Sequence, residues 1–272
     1  MIDQNKDKLP TNNSSPGSPS PGSPSPGGPS PGGPSPGGPS PGGFPVLVMA
    51  GGMPSNPDAT TNALSTVFQD FAKPTVAYIG TANGDSRPFF MMMKHLLSKA
   101  GAGKVELVRL AKAKVDVSAA KLMLDKADVI FFSGGEVEDG IIWLKRHELI
   151  EYLHELYTSG KRFIGVSAGT IMLGSHWVHW DVEGDDDTSS LFDCLGIVPL
   201  LFDTHGESED WVELKAALKL LGHGSKGYAL PSGCAVYADA VGNLTNLSKE
   251  PIVYANNNGL IQVLDQPGII PG

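Results

Sequence analysis

Cysteine and long apolar segments are scarce in this sequence. Only two of its 272 residues are cysteine, Cys194 and Cys234. One disulfide could form between them, but such low usage favours two free, buried thiols in a cytoplasmic protein. No run of about 18 apolar residues occurs, so the sequence predicts no transmembrane helix. The polar opening MIDQNKDKLPTNN lacks the apolar core of a secretory signal, and we therefore expect a cytoplasmic location.

Positive charge is limited as well, because 20 Lys and Arg residues stand against 29 Asp and Glu residues, for a net charge of -9. Binding to a phosphate backbone needs a basic face on the protein. The charge balance therefore argues against a nucleic-acid partner, and the lack of a predicted transmembrane helix argues against a membrane partner. An acidic balance of this size mainly favours solubility.

Proline, serine and glycine are concentrated at the start of the chain. From Ser14 to Gly43 the sequence consists almost wholly of these three residues, in repeats such as PSPGG. Such a segment has too few apolar side chains to offset the entropy of ordering. Glycine does not recur at every third position, as collagen requires. We therefore predict a disordered segment with polyproline II character over 1–43, followed by one folded domain over 44–272.

The rest of the chain alternates short apolar runs with longer amphipathic ones. The predicted strands are 45–52, 75–82, 104–110, 128–135 and 162–167, and the predicted helices are 61–72, 87–101, 118–127, 139–160 and 210–222. Apolar strands separated by helices indicate an α/β fold with three layers, in which helices cover both faces of a mostly parallel central sheet. Ser118 is the expected N-cap of its helix. A polar, acidic segment follows Gly174, and several short strands end the chain.

One serine stands where a predicted strand gives way to a helix. The stretch GVSAG, residues 165–169, fits the G-x-S-x-G nucleophile elbow, in which a sharp turn exposes a serine hydroxyl above the carboxyl edge of a sheet. Small neighbours such as Ala168 and Gly169 let the strand and helix approach each other. The Ala168 amide can then donate to a developing oxyanion. Ser167 is thus a candidate nucleophile, and the alternative is a serine that caps the helix.

Two further strand ends supply the groups that such a serine needs. The stretch FFSGGE, residues 131–136, ends a buried strand with Gly134 and Gly135, and the Gly135 amide can be a second oxyanion donor. The alternative is an ordinary strand-to-helix turn. His205 closely follows another buried strand, so we expect it on the same sheet edge as Ser167, where it activates the hydroxyl. The alternative is a loop histidine with a local partner.

The stretch HWVHWDVEGDDD, residues 176–187, allows two interpretations. His176, His179 and Asp181 are of residue types that bind zinc or iron. A loop rich in tryptophan and aspartate at a sheet edge can equally be a substrate lid. We favour the lid and predict no metal site.

In chain order, these stretches resemble the serine peptidase family that contains dipeptidase E (aspartyl dipeptidase) and cyanophycinase. IGVSAGTIML resembles the family's serine elbow, IFFSGGE its glycine cluster, LLFDTHGE its histidine segment and YALPSGCAVY its late L-P-E-G turn. The resemblance covers about residues 45–265 and implies a fold like that of class I glutamine amidotransferases. It also implies Ser167 as the nucleophile, His205 as its base, and Gly135 and Ala168 as the oxyanion donors.

Two positions depart from the family pattern. In the L-P-x-G turn, the place of the acid that orients the histidine is taken by Ser232. Losing that acid costs roughly 10⁴-fold in turnover in well-studied triads. Asp181, Asp203 and Glu207 are the candidate replacements. Glu209 stands where the aspartyl dipeptidase pattern has an arginine, and an acid there argues against Asp-X specificity because it repels an aspartyl side chain.

The sequence therefore predicts a serine-type exopeptidase or dipeptidase-like hydrolase of small peptides, which works through an acyl-enzyme without a metal or other cofactor. Gly134, Glu136 and Glu207, close in sequence to the catalytic groups, are the predicted substrate-binding residues. We expect a monomer or a homodimer. The alternative is a catalytically weak or inactive relative that binds a small peptide or metabolite. A glutaminase is disfavoured, because the amidotransferases of this fold carry cysteine at the elbow.

Overall fold

The computed structural model describes residues 43–51, 57–182, 184–264 and 270–271. All of them fall within one contact unit, Ser40–Gly272. The predicted disordered segment over 1–43 lies outside the described residues except for Gly43. Within the described part of the chain, no helix has both the length and the apolar character needed to cross a membrane.

Strands and helices alternate through the first two thirds of the described chain. The strands are β1 Val46–Met49, β2 Thr75–Ile79, β3 Lys104–Val108, β4 Val129–Phe132, β5 Arg162–Val166, β6 His176–Trp180, β7 Ser189–Asp193, β8 Phe202–Thr204, β9 Lys226–Leu230, β10 Ala235–Ala238, β11 Leu244–Asn246, β12 Ile252–Asn257, β13 Leu260–Val263 and β14 Ile270–Pro271. The helices are α1 Pro57–Phe68, α2 Arg87–Ala100, α3 Val117–Lys126, α4 Val137–Arg146, α5 Ile150–Thr158, α6 Ala168–Leu173 and α7 Val212–Leu221. Short 3₁₀ turns lie at Thr81–Asn83 and Asp186–Thr188.

The central sheet has the strand order β14-β11-β10-β1-β5-β4-β2-β3. The neighbours from β1 to β3 are all parallel. β10 runs antiparallel to both β1 and β11. This pairing confirms the predicted mostly parallel sheet. The prediction came from strands that are apolar throughout, since such strands need cover on both faces.

Alternate side chains of each central strand pack on opposite faces of the sheet. In β1, Val46 and Val48 join an apolar cluster with residues of α3 to α6, whereas Leu47 and Met49 join a second cluster with residues of α1 and α2. The same alternation recurs in β4. The two-residue period of strand side chains therefore produces the three layers that the sequence predicts.

The late strands form a separate sheet, which the sequence analysis does not predict. Its order is β13-β12-β9-β8, with β8 parallel to β9 and the other pairs antiparallel. Helix α7 packs against it through Leu214 and Leu218, beside Ala229 and Tyr254. Because β8 is not a strand of the central sheet, the expectation that His205 follows a strand of the same sheet as Ser167 is wrong. An apolar run shows that a strand is buried, but not which strand it pairs with.

Two local predictions also change. The polar segment after Gly174 contains an antiparallel hairpin of β6 and β7 rather than a loop alone. Ser118 is not the N-cap of α3, because the Asp116 side chain caps that helix by accepting a hydrogen bond from the N–H of Ala119 at 2.9 Å. An aspartate at this position caps as well as a serine does.

Cys194 and Cys234 are both buried and free, as predicted. Burial raises the pKa of each thiol to about 12. Neither forms the thiolate at neutral pH that nucleophilic chemistry requires.

Candidate active site

Ser167 lies at the turn between β5 and α6, in the middle of the central sheet. β5 pairs with β1 on one side and β4 on the other. The backbone of Ser167 has φ of 54° and ψ of −125°, a strained conformation for a residue with a side chain. Its hydroxyl makes no capping hydrogen bond to α6. Ser167 therefore occupies the N-cap position of α6 without capping the helix through its side chain, and its hydroxyl is directed elsewhere.

Close backbone packing holds this turn in place. A Cβ added to Gly169 would lie 2.2 Å from the backbone oxygen of Phe132, so only glycine fits there. The Thr170 hydroxyl donates to the Met49 carbonyl at 2.8 Å and accepts from the Met49 N–H at 3.1 Å. The Ser167 N–H donates to the same carbonyl at 2.9 Å. These contacts fasten both sides of the turn to β1.

His205 meets Ser167 from the second sheet. The Ser167 Oγ lies 2.8 Å from the His205 Nε2, a hydrogen-bonding distance between residues 38 positions apart. His205 follows β8 with φ of 46°, and its backbone N–H donates to the Leu230 carbonyl at 2.9 Å. The two predicted residues are thus brought together, but by two sheets that meet rather than by one sheet edge.

Gly134 and Gly135 place bare backbone beside Ser167. A Cβ on Gly134 would lie 3.1 Å from the Ser167 Cβ. Gly135 has φ of 142°, and a Cβ there would lie 2.1 Å from the Ala82 carbonyl oxygen. Among the described residues the N–H of Gly135 makes no hydrogen bond, and Ala168 opens α6, where the first N–H groups have no partner within the helix. Both amides can therefore serve an oxyanion.

The glycine turn depends on a residue that the sequence analysis missed. The Asn83 side-chain amide donates to the Gly134 carbonyl at 2.8 Å and to the Ser133 hydroxyl at 2.9 Å. The Tyr78 hydroxyl also donates to Ser133, at 2.6 Å. Asn83 lies in the 3₁₀ turn after β2. In the sequence, its position at the carboxyl end of a predicted strand was the feature that could have indicated this role.

Glu207 is a carboxylate whose charge interacts with the charge of His205. Its Oε1 accepts a hydrogen bond from the backbone N–H of Ser232 at 2.6 Å. Burial acts to raise the pKa of Glu207, but the hydrogen bonds from Ser232 and the charge of His205 outweigh it and hold this pKa below its ordinary value. Within the described residues, His205 forms no hydrogen bond or ion pair with any carboxylate. Ser232, which stands at the family's triad-acid position, contacts Glu207 rather than His205.

The two other candidate acids also make contacts elsewhere. Asp203 lies in β8, and its Oδ1 accepts from the Thr204 N–H at 2.6 Å. Burial, followed by the charge of Glu213, raises the pKa of Asp203 to about 7. Asp181 lies 3.4 Å from His179. Neither carboxylate contacts His205.

The candidate metal ligands do not form a cluster. His179 pairs with Glu138 at 2.6 Å, and this hydrogen bond raises the pKa of the imidazole. His176 instead lies 3.6 Å from Asp193. In the described part of the chain, no group of three or more ligating side chains is arranged to hold a metal ion.

The proposed catalytic groups open onto a cavity of about 200 Å³. Ser167, Ala168, His205 and Gly135 line it, together with the predicted substrate residue Glu136. The two other predicted substrate-binding residues, Gly134 and Glu207, are not among the residues that line it. The hairpin strand β6 contributes Trp177 to the wall, so the segment expected to be a lid does border the cavity.

A family model described as Peptidase family S51 matches residues 46–241. The fold is similar to the crystal structure of a peptidase from an acI-B1 Actinobacterium, with a TM-score of 0.59 and 19% identity over 82% of this chain and 94% of that one. It is also similar to the structure of a candidate peptidase E from Listeria monocytogenes EGD-e, with a TM-score of 0.55 and 18% identity over 75% of this chain and 98% of that one. No curated protein gives a significant sequence match.

Proposed function

The chain belongs to peptidase family S51, and from that membership we propose that it hydrolyses small peptides through an acyl-enzyme on Ser167. The observation that carries the proposal is the 2.8 Å contact between the Ser167 Oγ and the His205 Nε2 at a strained strand-to-helix turn. A nucleophile and a base at this distance are the pairing that covalent hydrolysis requires.

The proposed steps use Ser167, His205, two backbone amides and a water molecule. The His205 Nε2 accepts the Ser167 proton while Oγ attacks the peptide carbonyl carbon, and the amides of Gly135 and Ala168 donate to the oxyanion. The C–N bond then breaks, and the leaving amine takes the proton from His205. A water molecule next gives a proton to His205 and attacks the acyl carbon, which releases the acid and restores the Ser167 hydroxyl.

In this chain Glu207 supplies the negative charge that, in the family pattern, comes from an acid at the position of Ser232. Its carboxylate is held ionised by Ser232, and its charge interacts with that of His205. A nearby carboxylate stabilises the imidazolium that forms during the reaction, even without a direct hydrogen bond. In this proposal Glu207 therefore acts on His205 through its charge, rather than as the substrate-binding residue that the sequence suggests.

The size of the cavity favours a short substrate. Its volume of about 200 Å³ lies below the roughly 300–1,000 Å³ of common small-molecule sites. A site of that size accommodates one side chain or chain end at a time. We accordingly assign exopeptidase action on short peptides.

Labelling with a fluorophosphonate probe tests the nucleophile directly. We expect one adduct, located at Ser167 by mass spectrometry, and no adduct on Ser167→Ala or on denatured protein. Ser190→Ala, which changes an exposed serine of β7, is the matched control and should label fully. Unlabelled wild-type protein under conditions that label another serine hydrolase would contradict the proposal.

A panel of dipeptides and β-aspartyl peptides tests the activity. Wild type should cleave at least one class, and Ser167→Ala should be inactive. Equal, negligible rates in both would favour the alternative, a family member that binds a small peptide without cleaving it. The observation that favours this alternative is the lack of any carboxylate contact to His205 within the described residues.

A further inference from the structure

The peptide group between Gly134 and Gly135 has one polar atom bound and one available. Its N–H, on Gly135, makes no hydrogen bond among the described residues and is a proposed oxyanion donor. Its carbonyl oxygen, on Gly134, accepts a hydrogen bond from the Asn83 side chain at 2.8 Å. Because a peptide group is planar and trans, its N–H and its C=O point in opposite directions. The hydrogen bond that holds the carbonyl therefore also fixes the direction of the N–H.

The backbone on either side of this peptide group is held by other hydrogen bonds. The Ser133 N–H donates to the Ile79 carbonyl at 3.0 Å, and the Glu136 N–H donates to the Ala82 carbonyl at 2.7 Å. Neither bond involves the peptide group between the two glycines, and glycine has no Cβ to restrict rotation of that group. In the described part of the chain, Asn83 is the one donor that its carbonyl meets. The peptide group could therefore turn over if Asn83 were absent.

Two contacts determine which way the Asn83 amide faces. Its Oδ1 accepts from the backbone N–H of Ser86 at 3.1 Å, and a backbone N–H can only donate. The amide nitrogen must then face Gly134, whose carbonyl can only accept. The same nitrogen donates to the Ser133 hydroxyl at 2.9 Å, and that hydroxyl also accepts from Tyr78 at 2.6 Å. The Asn83 amide is therefore itself held at both ends.

We propose that Asn83 is a positioning residue of the oxyanion site, which keeps the Gly135 N–H directed at the substrate oxygen by holding the Gly134 carbonyl. The inference rests on the proposed function, because it assumes that the Gly135 amide donates to an oxyanion. Asn83 does not line the cavity, so it acts through the backbone and not on the substrate. Since Ala168 supplies the second oxyanion donor from another segment, loss of Asn83 should weaken the oxyanion site without abolishing it.

The substitution Asn83→Asp tests the proposal with little change of shape. The aspartate keeps an oxygen for the Ser86 N–H, but its ionised carboxylate has no donor for the Gly134 carbonyl. Removing an oxyanion donor outright costs roughly 10²–10³-fold in kcat. Because this variant keeps the amide but frees it to turn away, we expect kcat to fall by about 10- to 100-fold with little change in KM. The rate of fluorophosphonate labelling at Ser167 should fall with it, since the phosphoryl oxygen uses the same donors.

Three comparisons separate this role from a general loss of stability. Asn83→Ala, which introduces no charge, should show the same split between kcat and KM. If Asn83 acts through the Gly135 amide, Asn83→Asp should add little to the loss that Gly135→Ala already causes, whereas independent roles would multiply. Asn243→Asp is the matched control, because it also removes a side-chain amide bond, to Asp239 at 2.8 Å, at a position that does not line the cavity. Its kcat and labelling rate should equal those of wild type.

Crystal structures of wild type and Asn83→Asp test the placement without any activity. We expect the wild type to keep the hydrogen bond from Asn83 to the Gly134 carbonyl, and the variant to show the peptide group rotated. An unrotated peptide group in the variant would overturn the proposal. A kcat and a labelling rate equal to those of wild type, or fully multiplicative losses in the double mutant with Gly135→Ala, would overturn it as well.

The proposed function fails separately. Rotation of the peptide group in Asn83→Asp, without fluorophosphonate labelling of wild type, would reject the acyl-enzyme and keep the control of the Gly135 N–H by Asn83. Equal and full labelling of wild type and Asn83→Asp would keep the acyl-enzyme and reject the positioning role.

Discussion

Replacing Asp203 with asparagine should stabilise the protein at alkaline pH and change little at acid pH. Asparagine has nearly the same shape and keeps the oxygen that accepts the Thr204 N–H. It removes the charge that burial and the facing carboxylates of Glu213 and Glu209 disfavour. The effect on the free energy of unfolding therefore depends on whether Asp203 is ionised in the wild type.

The magnitude follows from the pKa of Asp203, which folding raises from 3.8 to about 7. Below the unfolded value the group is protonated in both states and contributes no difference. Between the two values the folded state binds more protons than the unfolded state, so the stability falls as pH rises. Above pH 7 the full cost is present, about 4 kcal/mol from a shift of roughly three units at 1.36 kcal/mol each. Water entering the cavity lowers this figure, which is thus an upper bound.

Urea unfolding at pH 4.5 and pH 8 measures the effect. The difference in the free energy of unfolding between Asp203→Asn and wild type should grow from about 1 kcal/mol at pH 4.5, just above the unfolded pKa of 3.8, toward about 4 kcal/mol at pH 8, in favour of the variant. Asp187→Asn, at an exposed position in the 3₁₀ turn after β6, should show no such growth. If the difference is the same at both pH values, or if the variant is less stable at pH 8, the account of Asp203 as a buried, disfavoured charge is refuted.

Three other substitutions probe the machinery around Ser167. Glu207→Gln should lower kcat by roughly tenfold with little change in KM, because it removes a charge that faces the imidazolium. Steady-state kinetics measures this, and an unchanged kcat would exclude an electrostatic role of Glu207 in catalysis. Gly135→Ala should lower kcat by roughly 10²–10³-fold, because the new Cβ displaces an oxyanion amide, whereas Gly196→Ala, also at positive φ but in open space, should retain activity. Thr170→Val should lower the free energy of unfolding by about 1–3 kcal/mol, because the buried N–H of Met49 loses its acceptor. Urea unfolding measures this, and a smaller decrease would mean that water replaces the hydroxyl.

Part of the site could be read from the sequence because it is encoded in local patterns. A strand followed by two glycines, and a strand followed by a serine between small residues, each specify a sharp turn at a carboxyl strand end. The structure places Gly135 and Ser167 at such turns. Asn83 belongs to no local pattern of this kind, since its role depends on a carbonyl 51 positions away.

The identity of the supporting acid could not be predicted either. The family pattern directs attention to Ser232, and the chain carries carboxylates on several neighbouring segments. The structure shows Ser232 holding Glu207 through a backbone N–H, which any residue except proline could donate. A contact made by the backbone leaves no trace in the side-chain sequence.

The amino-acid sequence by itself determined the alternation of strands and helices, the parallel central sheet and the sharp turn at Ser167. Each of these follows from short-range features: the period of apolar residues, the glycines and the small side chains. Only the tertiary structure decided that β8 joins a second sheet and brings His205 to Ser167 from there. Only it gathered Asp203, Glu209 and Glu213 around one cavity. Strand pairing and cavity walls depend on contacts between segments far apart in the chain. The local periodicity of side chains shows which residues are buried, but not which strand or helix they pack against.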